Sequence, residues 1–452
     1  MPPRTAKRRA LALALALGLA AASVLPSAGA QQAPSAPLEG ARLDYRLGLR
    51  IEHSDNITRV AEAAVTDTVL APNLAFSLSS EGERLSLRAT GDAEYLSYRD
   101  DSFASELNLR AGLQGNLRLL PERLSWAFED YVGRQPIDAF AVDRPDNQQR
   151  TNVFATGPTL SLRPSLTSRL LAELRYLDSW AEETAEFNSE RLSFALRALW
   201  QRSATSSLSA HAETSDAEFE RGGGVLDGFR RNDAYVRYDR RGAAIEWSAD
   251  IGGSRIDFDG GGDDSAALLR LRYAQALTDS SRLELRAQRQ FSDAVADLAF
   301  SAPRIEDFDL PIGLPGLRGG FLSPEPFLET GASLGFSRRS PRLFLRAEAY
   351  AREQDYLLGP ELDQDGRGLR LALSRPLRST LALGAYASHD RRGYDALDRV
   401  DRETSLGLQL DWRILANLDL SLGLLRARRD SSVAGQDFTD NRVLLGLVYR
   451  RD

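Results

Sequence analysis

Three histidines are the only imidazoles in this 452-residue chain, and it has no cysteine. They are His53, His211 and His389, and none of them stands in the H-x-x-x-H spacing that puts two ligands on one zinc ion. Hydrolytic catalysis would need a nucleophile and a carboxylate held beside one of them. His389 adjoins Asp390 and His53 lies near Asp55, yet no nucleophile motif accompanies either pair. The plainer reading is a solvated histidine. A second acidic group lies in DFDGGGDD (257–264), where Asp257, Asp259, Asp263 and Asp264 surround a glycine turn. Hard oxygen ligands on a loop suit calcium, but the order D-x-D-x-D-G-x5-E is missing. An acidic surface loop is the simpler expectation, with no cofactor.

Far more abundant is a different pattern. Arg46, Arg50, Arg88, Glu94, Arg110, Arg197, Glu213, Arg237, Arg270, Arg272, Glu284, Arg286, Arg346 and Glu348 all fall in segments where charged or polar residues alternate with Leu, Val, Ala, Tyr or Trp. In TSLGLQLDWRILANLDLSLGLLRARRD (404–430), Leu406, Leu408, Leu410 and Trp412 occupy every second position, and Leu418, Leu420, Leu422 and Leu424 do so again. Period two means strands with one apolar and one polar face. Interleaved guanidinium and carboxylate groups along such a face can bind hydroxyl-rich, weakly charged solutes; rings of one sign, as in a strongly ion-selective pore, are not evident.

The leucine face needs an apolar neighbour, either a second sheet or lipid. The N-terminus bears on the choice. Arg4, Lys7, Arg8 and Arg9 precede an apolar run from Ala10 to Leu25, and Ala28-Gly29-Ala30 offers a cleavage site. Residues 1–30 therefore read as a secretory signal peptide cleaved after Ala30, and 31–41 as a flexible periplasmic lead-in. No cysteine follows, so a lipid anchor is not expected. The formal charge of −7 loses four positive charges with the leader and becomes −11, which argues against a nucleic-acid partner. No later apolar run approaches the ~20 residues of a membrane helix.

The connections complete the argument. Short turns, such as 80–83, 120–123 and 415–417, alternate with longer segments at 54–64, 134–150, 179–189, 217–230, 257–266, 293–323, 354–365, 390–401 and 429–440. Tight turns on one side and long loops on the other are the outer-membrane pattern. A soluble sandwich explains neither this alternation nor strands of a dozen residues. The expected fold is all-β: a transmembrane up-and-down antiparallel β-barrel over 42–452 with about 20 strands. Eighteen is the alternative, because 65–79 and 206–219 are blurred. Its surroundings would be outer-membrane lipids and lipopolysaccharide, reached through the barrel-assembly machinery. With barely a dozen residues before the first strand, an N-terminal plug is not expected.

The segment 293–323 is long and rich in apolar residues, among them Phe300, Phe308 and Phe321, with Asp297, Glu306, Asp307 and Asp309 between them. A loop this long is usually functional or disordered, and its apolar content argues against disorder. It either folds into the barrel mouth as a constriction, caps the opening or meets a partner; the inward fold is favoured.

HSDNIT (53–58), at the end of the first strand, and NVFATGPTLSLRPSLTSRLLAELRYLDS (152–179) resemble the Putative beta-barrel porin 2 family. That resemblance implies a non-enzymatic outer-membrane channel serving exopolysaccharide export, with a polysaccharide or periplasmic export components as partners. A general diffusion porin for small nutrients is the alternative, and an outer-membrane hydrolase the third reading.

Overall fold

The computed structural model describes residues 40–138, 140–220, 226–295 and 324–451. The leader and lead-in lie outside these residues, so the cleavage site falls beyond them. Twenty strands follow one another in antiparallel order. The first ten are β1 (Arg42–Ser54), β2 (Asp67–Glu81), β3 (Leu85–Tyr98), β4 (Glu106–Leu120), β5 (Leu124–Pro136), β6 (Gln148–Leu162), β7 (Ser168–Ala181), β8 (Ser189–Ser203), β9 (Ser206–Phe219) and β10 (Gly228–Arg241). The rest are β11 (Ile245–Phe258), β12 (Asp263–Thr278), β13 (Ser281–Ser292), β14 (Phe327–Ser340), β15 (Leu343–Tyr356), β16 (Gln364–Arg378), β17 (Leu381–Tyr394), β18 (Arg399–Leu415), β19 (Leu418–Ser431) and β20 (Phe438–Arg451). Each strand pairs with its sequence neighbours, and β1 pairs with β20 from Tyr45↔Arg451 to Ser54↔Arg442. That last ladder closes the sheet and abolishes its edges.

The count is twenty, because the blurred stretches are the strands β2 and β9. Two segments read as long loops are mostly strand. β11 continues to Phe258 and β12 starts at Asp263, while β17 continues to Tyr394 and β18 starts at Arg399. The reason lies in their length. A fourteen-residue strand, tilted ~40°, rises roughly 35 Å. The apolar band of such barrels is only ~25 Å tall. Above the band both faces turn polar, so the alternation fades from the sequence while the backbone ladder continues.

Of the two phases, one is exposed and apolar. Leu406 and Leu408 are 50% and 54% exposed, and Leu408 stands beside Leu424 on the next strand. On the opposite phase Gln409 and Ser421 are buried. That phase is the interior, because its residues touch strands that are not their neighbours. Arg191 of β8, for example, meets Asp293 beyond the end of β13. Close packing inside is visible where the Tyr386 ring lies over Gly407, 2.0 Å from where a Cβ would stand. Tyr95, Trp126, Tyr176, Trp200 and Trp412 belong to the outer phase and are exposed there, in keeping with interfacial girdles. Tyr98 does not join them: it is buried on the inner phase, edge-on to Phe103 at 5.4 Å.

No helix among the described residues is long and apolar enough to cross a membrane; strands do the spanning. Purified in detergent, the protein is expected to give a β-rich circular dichroism spectrum and to migrate differently on gels before and after heating. A helical spectrum, or full solubility without detergent, would overturn the barrel.

Candidate functional site

The charged residues of the inner phase form chains of alternating sign. On the β7–β12 wall Arg197 lies between Glu173 (3.0 Å) and Glu213 (3.3 Å), and Glu213 accepts a hydrogen bond from the Tyr235 hydroxyl at 3.0 Å. His211 stacks on the Tyr235 ring with centroids 4.4 Å apart, and Arg270 lies over that ring at 4.8 Å. Asp250 then takes both Arg237 (2.6 Å) and Arg270 (3.5 Å). A second group occupies β1, β3 and β20. Arg50 bridges Glu52 and Glu94, and Arg442 reaches Glu52 and Asp440 at 2.5 Å each. Arg110 pairs with Asp92 at 3.1 Å, Arg88 with Glu81 at 3.5 Å, and Arg286 with Glu284 at 3.3 Å.

The remaining candidates share this phase by register. Arg46 stands opposite Arg450, Arg272 opposite Ser248 and Arg286, Arg346 opposite Ser337, and Glu348 opposite Gly335 and Arg370. Where the signs alternate, as from Glu173 to Asp250, the face presents hydrogen-bond donors and acceptors with little net field; Arg46 beside Arg450 and Arg272 beside Arg286 are locally positive.

At the long-loop end two chain segments leave the wall and enter the interior. The β12–β13 ladder stops at Leu269↔Arg289, so above that pair β13 is held to the wall by β14 alone, up to Ser292↔Phe327. Phe291 packs with Phe229 and Ile256. Asp293 forms a two-pronged ion pair with Arg191 at 2.9 and 3.0 Å, and both side chains are almost wholly buried. Ala294 and Val295 then pack on Phe187, Val153 and Ala181. The strap thus runs from β13 to β8, five strands away along the wall. Asp297, Phe300, Glu306, Asp307, Phe308, Asp309 and Phe321, the expected constriction residues, lie outside the described residues.

A second inward segment has no signal in the sequence beyond its length. The 137–147 connection between β5 and β6 is braced by Asn147, which donates to the Asp138 carbonyl at 2.9 Å and accepts from the Asp138 amide at 2.8 Å. It then reaches the opposite wall. Arg399 of β18 donates to the Phe140 carbonyl at 2.5 Å and sits beside the rings of Phe140 and Tyr394, at 5.7 and 5.6 Å. Val142 packs on Ala427 and Phe438. Arg59, in the β1–β2 connection, donates to the Asp143 carbonyl at 2.7 Å and pairs with Asp440. Burial pushes the Arg59 guanidinium down to about 10, with repulsion from Arg442 adding to the effect and Asp440 opposing it. Both segments reach across to strands that are not their neighbours, and each is fastened by an arginine of the wall.

The His53 and His389 rings hydrogen-bond with Thr68 (3.0 Å) and Thr404 (2.9 Å). His211 lies between the Ser209 hydroxyl, 2.8 Å from its Nε2, and the Glu213 carboxylate, 3.8 Å from its Nδ1, and both Ser209 and His211 are buried in the wall. Among the calcium candidates, Arg255 takes Asp257 at 2.8 Å and Asp263 at 3.4 Å, while Asp264 stands across from Ile256 of the inner phase and Asp259 lies in the turn. Among the described residues no three His, Asp or Glu converge to hold a metal ion.

The closed barrel, its leucine exterior and its charged interior define a β-barrel of the outer-membrane class. Residues 364–451 match the model of the family described as Putative beta-barrel porin 2. No curated protein matches the chain. Similar solved structures include a mutant ferric enterobactin receptor, PfeA, from Pseudomonas aeruginosa, with 12% identity over 91% of this chain and 81% of that one and a TM-score of 0.47. The siderophore receptor PirA of the same organism has 13% identity over 90% and 80%, with a TM-score of 0.43. OccK2 (OpdF), also from Pseudomonas aeruginosa, has 12% identity over 91% and 98%, with a TM-score of 0.43.

Proposed function

We propose that the protein is a non-enzymatic outer-membrane channel that passes a hydroxyl-rich polymer, an exopolysaccharide, along its inner face. The carrying observation is the wall chain Glu173–Arg197–Glu213–Tyr235–Arg270–Asp250. It sets guanidinium and carboxylate groups in alternation along the wall, which suits the hydroxyls of a sugar polymer. Because the charges neutralise one another locally, the wall discriminates by hydrogen bonding more than by sign. The two inward segments set the width of the entrance. The secretory leader and the match over 364–451 support the same reading.

Planar-bilayer recordings test this. The protein is expected to form conducting channels, and added polysaccharide from the producing strain is expected to interrupt the current. A deletion strain should retain polymer in the periplasm. Steady current with no blocking by polymer, together with unchanged secretion, would overturn the proposal in favour of a diffusion porin for small nutrients.

A further inference from the structure

We propose that the outer surface of β16–β19 carries a binding site for the phosphate-bearing headgroup of an outer-leaflet glycolipid, built from Arg367, Arg391, Arg402, Arg426 and Arg428. Three of these arginines are direct cross-strand neighbours on the outer phase: Arg367 pairs with Arg391, and Arg391 with Arg402. The next strand adds Arg428 opposite Thr404 and Arg426 opposite Leu406. Arg367, Arg402, Arg426 and Arg428 are exposed. Like charges facing one another across a ladder destabilise a sheet, so such a row calls for a counter-charge.

The protein supplies only part of it. Asp365 takes Arg391 at 2.7 Å, and Asp430, which stands opposite Arg402 in the ladder, takes Arg428 at 2.6 Å, so these five arginines meet two carboxylates and carry an excess of three positive charges. On other arcs of the same rim Arg150 is matched by Glu182, Arg230 by Asp216, and Arg255 by Asp257 and Asp263, while Arg289 on β13 stands singly and donates to Thr330 at 3.3 Å. The β16–β19 arc differs in setting its arginines side by side.

Its height specifies the occupant. These positions lie towards the long-loop ends of their strands, directly above Leu369, Leu371, Leu406, Leu408, Leu422 and Leu424, which are all exposed on the same phase. A ligand that meets both rows has an anionic head and apolar chains beneath it. Guanidinium forks match phosphate oxygens in paired hydrogen bonds, and a phosphorylated glycolipid in the surrounding leaflet presents phosphate at that depth.

Native mass spectrometry of the full-length mature protein in detergent tests the site, with bisphosphorylated lipid A, the same lipid without phosphates, and inorganic phosphate as probes. The phosphorylated lipid is expected to form a one-to-one adduct that the dephosphorylated lipid does not form and that millimolar inorganic phosphate does not displace. The triple variant Arg367→Gln/Arg402→Gln/Arg426→Gln should keep its heat-modifiable gel shift and weaken the adduct at least about tenfold, as expected when each cation near an anionic surface contributes roughly a fivefold factor reduced by screening. Arg150→Gln/Arg230→Gln, on another arc, should bind as before. If the triple variant fails to assemble, Arg402→Gln alone should weaken the adduct by about fivefold. Wild-type affinity in the assembled variant, an equal loss in the Arg150/Arg230 control, displacement by inorganic phosphate, or a protein dimer in place of the lipid adduct would each overturn the site.

Discussion

Replacing Arg191 with glutamine is expected to raise single-channel conductance and to lower solute discrimination, while leaving the barrel assembled. Arg191 and Asp293 hold the strap beyond β13 inside the lumen through two short hydrogen bonds, with both side chains almost fully buried. Removing one partner of a buried ion pair costs about 3–5 kcal/mol, because the other charge is left in a poorly solvating site. The cheapest relief is local: the strap leaves the lumen and carries the Asp293 carboxylate to water. Strand pairing does not depend on it, since the β13–β14 ladder runs from Ser281↔Arg338 to Ser292↔Phe327 and ends before Asp293. Asp293→Asn should have the same direction and a smaller size, and the double variant should open the mouth little more than Arg191→Gln alone, as expected for residues that act as one pair. Conductance, polymer blocking and heat-modifiability measured on the three variants check this. Unchanged conductance with an intact barrel would show that the strap does not limit the path; loss of assembly would show that it is part of the core packing.

Two adjacent positions on β18 give the second large effect. Leu408→Arg is expected to abolish or sharply reduce membrane insertion, whereas Gln409→Arg is expected to insert normally. Leu408 is exposed on the outer phase, and an arginine at mid-depth on the lipid face costs about 2–4 kcal/mol. Gln409 is buried on the inner phase, where its amide donates to Asp411 at 2.6 Å. Its cross-strand partners are Gly384 and Gly423, which leave room for a longer side chain, and Asp411 supplies a counter-charge. Folding into vesicles followed by gel shift is the measurement. Equal damage at both positions would mean that the register is displaced by one residue, because a single slip exchanges the two faces.

Much of this architecture is legible in the residues alone. Alternation with period two, leucine on one phase and Arg or Glu on the other, follows from the chemistry of the two surroundings, lipid outside and water within. A local rule repeated along the chain is readable without knowing which strand lies beside which. The number of strands, the phase that faces inward and the side on which the longer connections lie follow from it. The rule fails above the apolar band, where both faces are wet, and there 257–266 and 390–401 read as loops although most of their residues are strand.

What tertiary structure alone decided is the traffic across the lumen. Nothing in the sequence near Asp293 points to Arg191, one hundred and two residues earlier, and nothing near Phe140 points to Arg399, two hundred and fifty-nine residues later. These contacts exist because closing twenty strands brings distant inner faces within reach of one another. The arginine row on β16–β19 has the same origin. Arg367, Arg391 and Arg402 are scattered in the chain, and only the ladder registers set them side by side. Side-chain alternation is local and survives in one dimension; adjacency between strands depends on register and closure, which the fold sets.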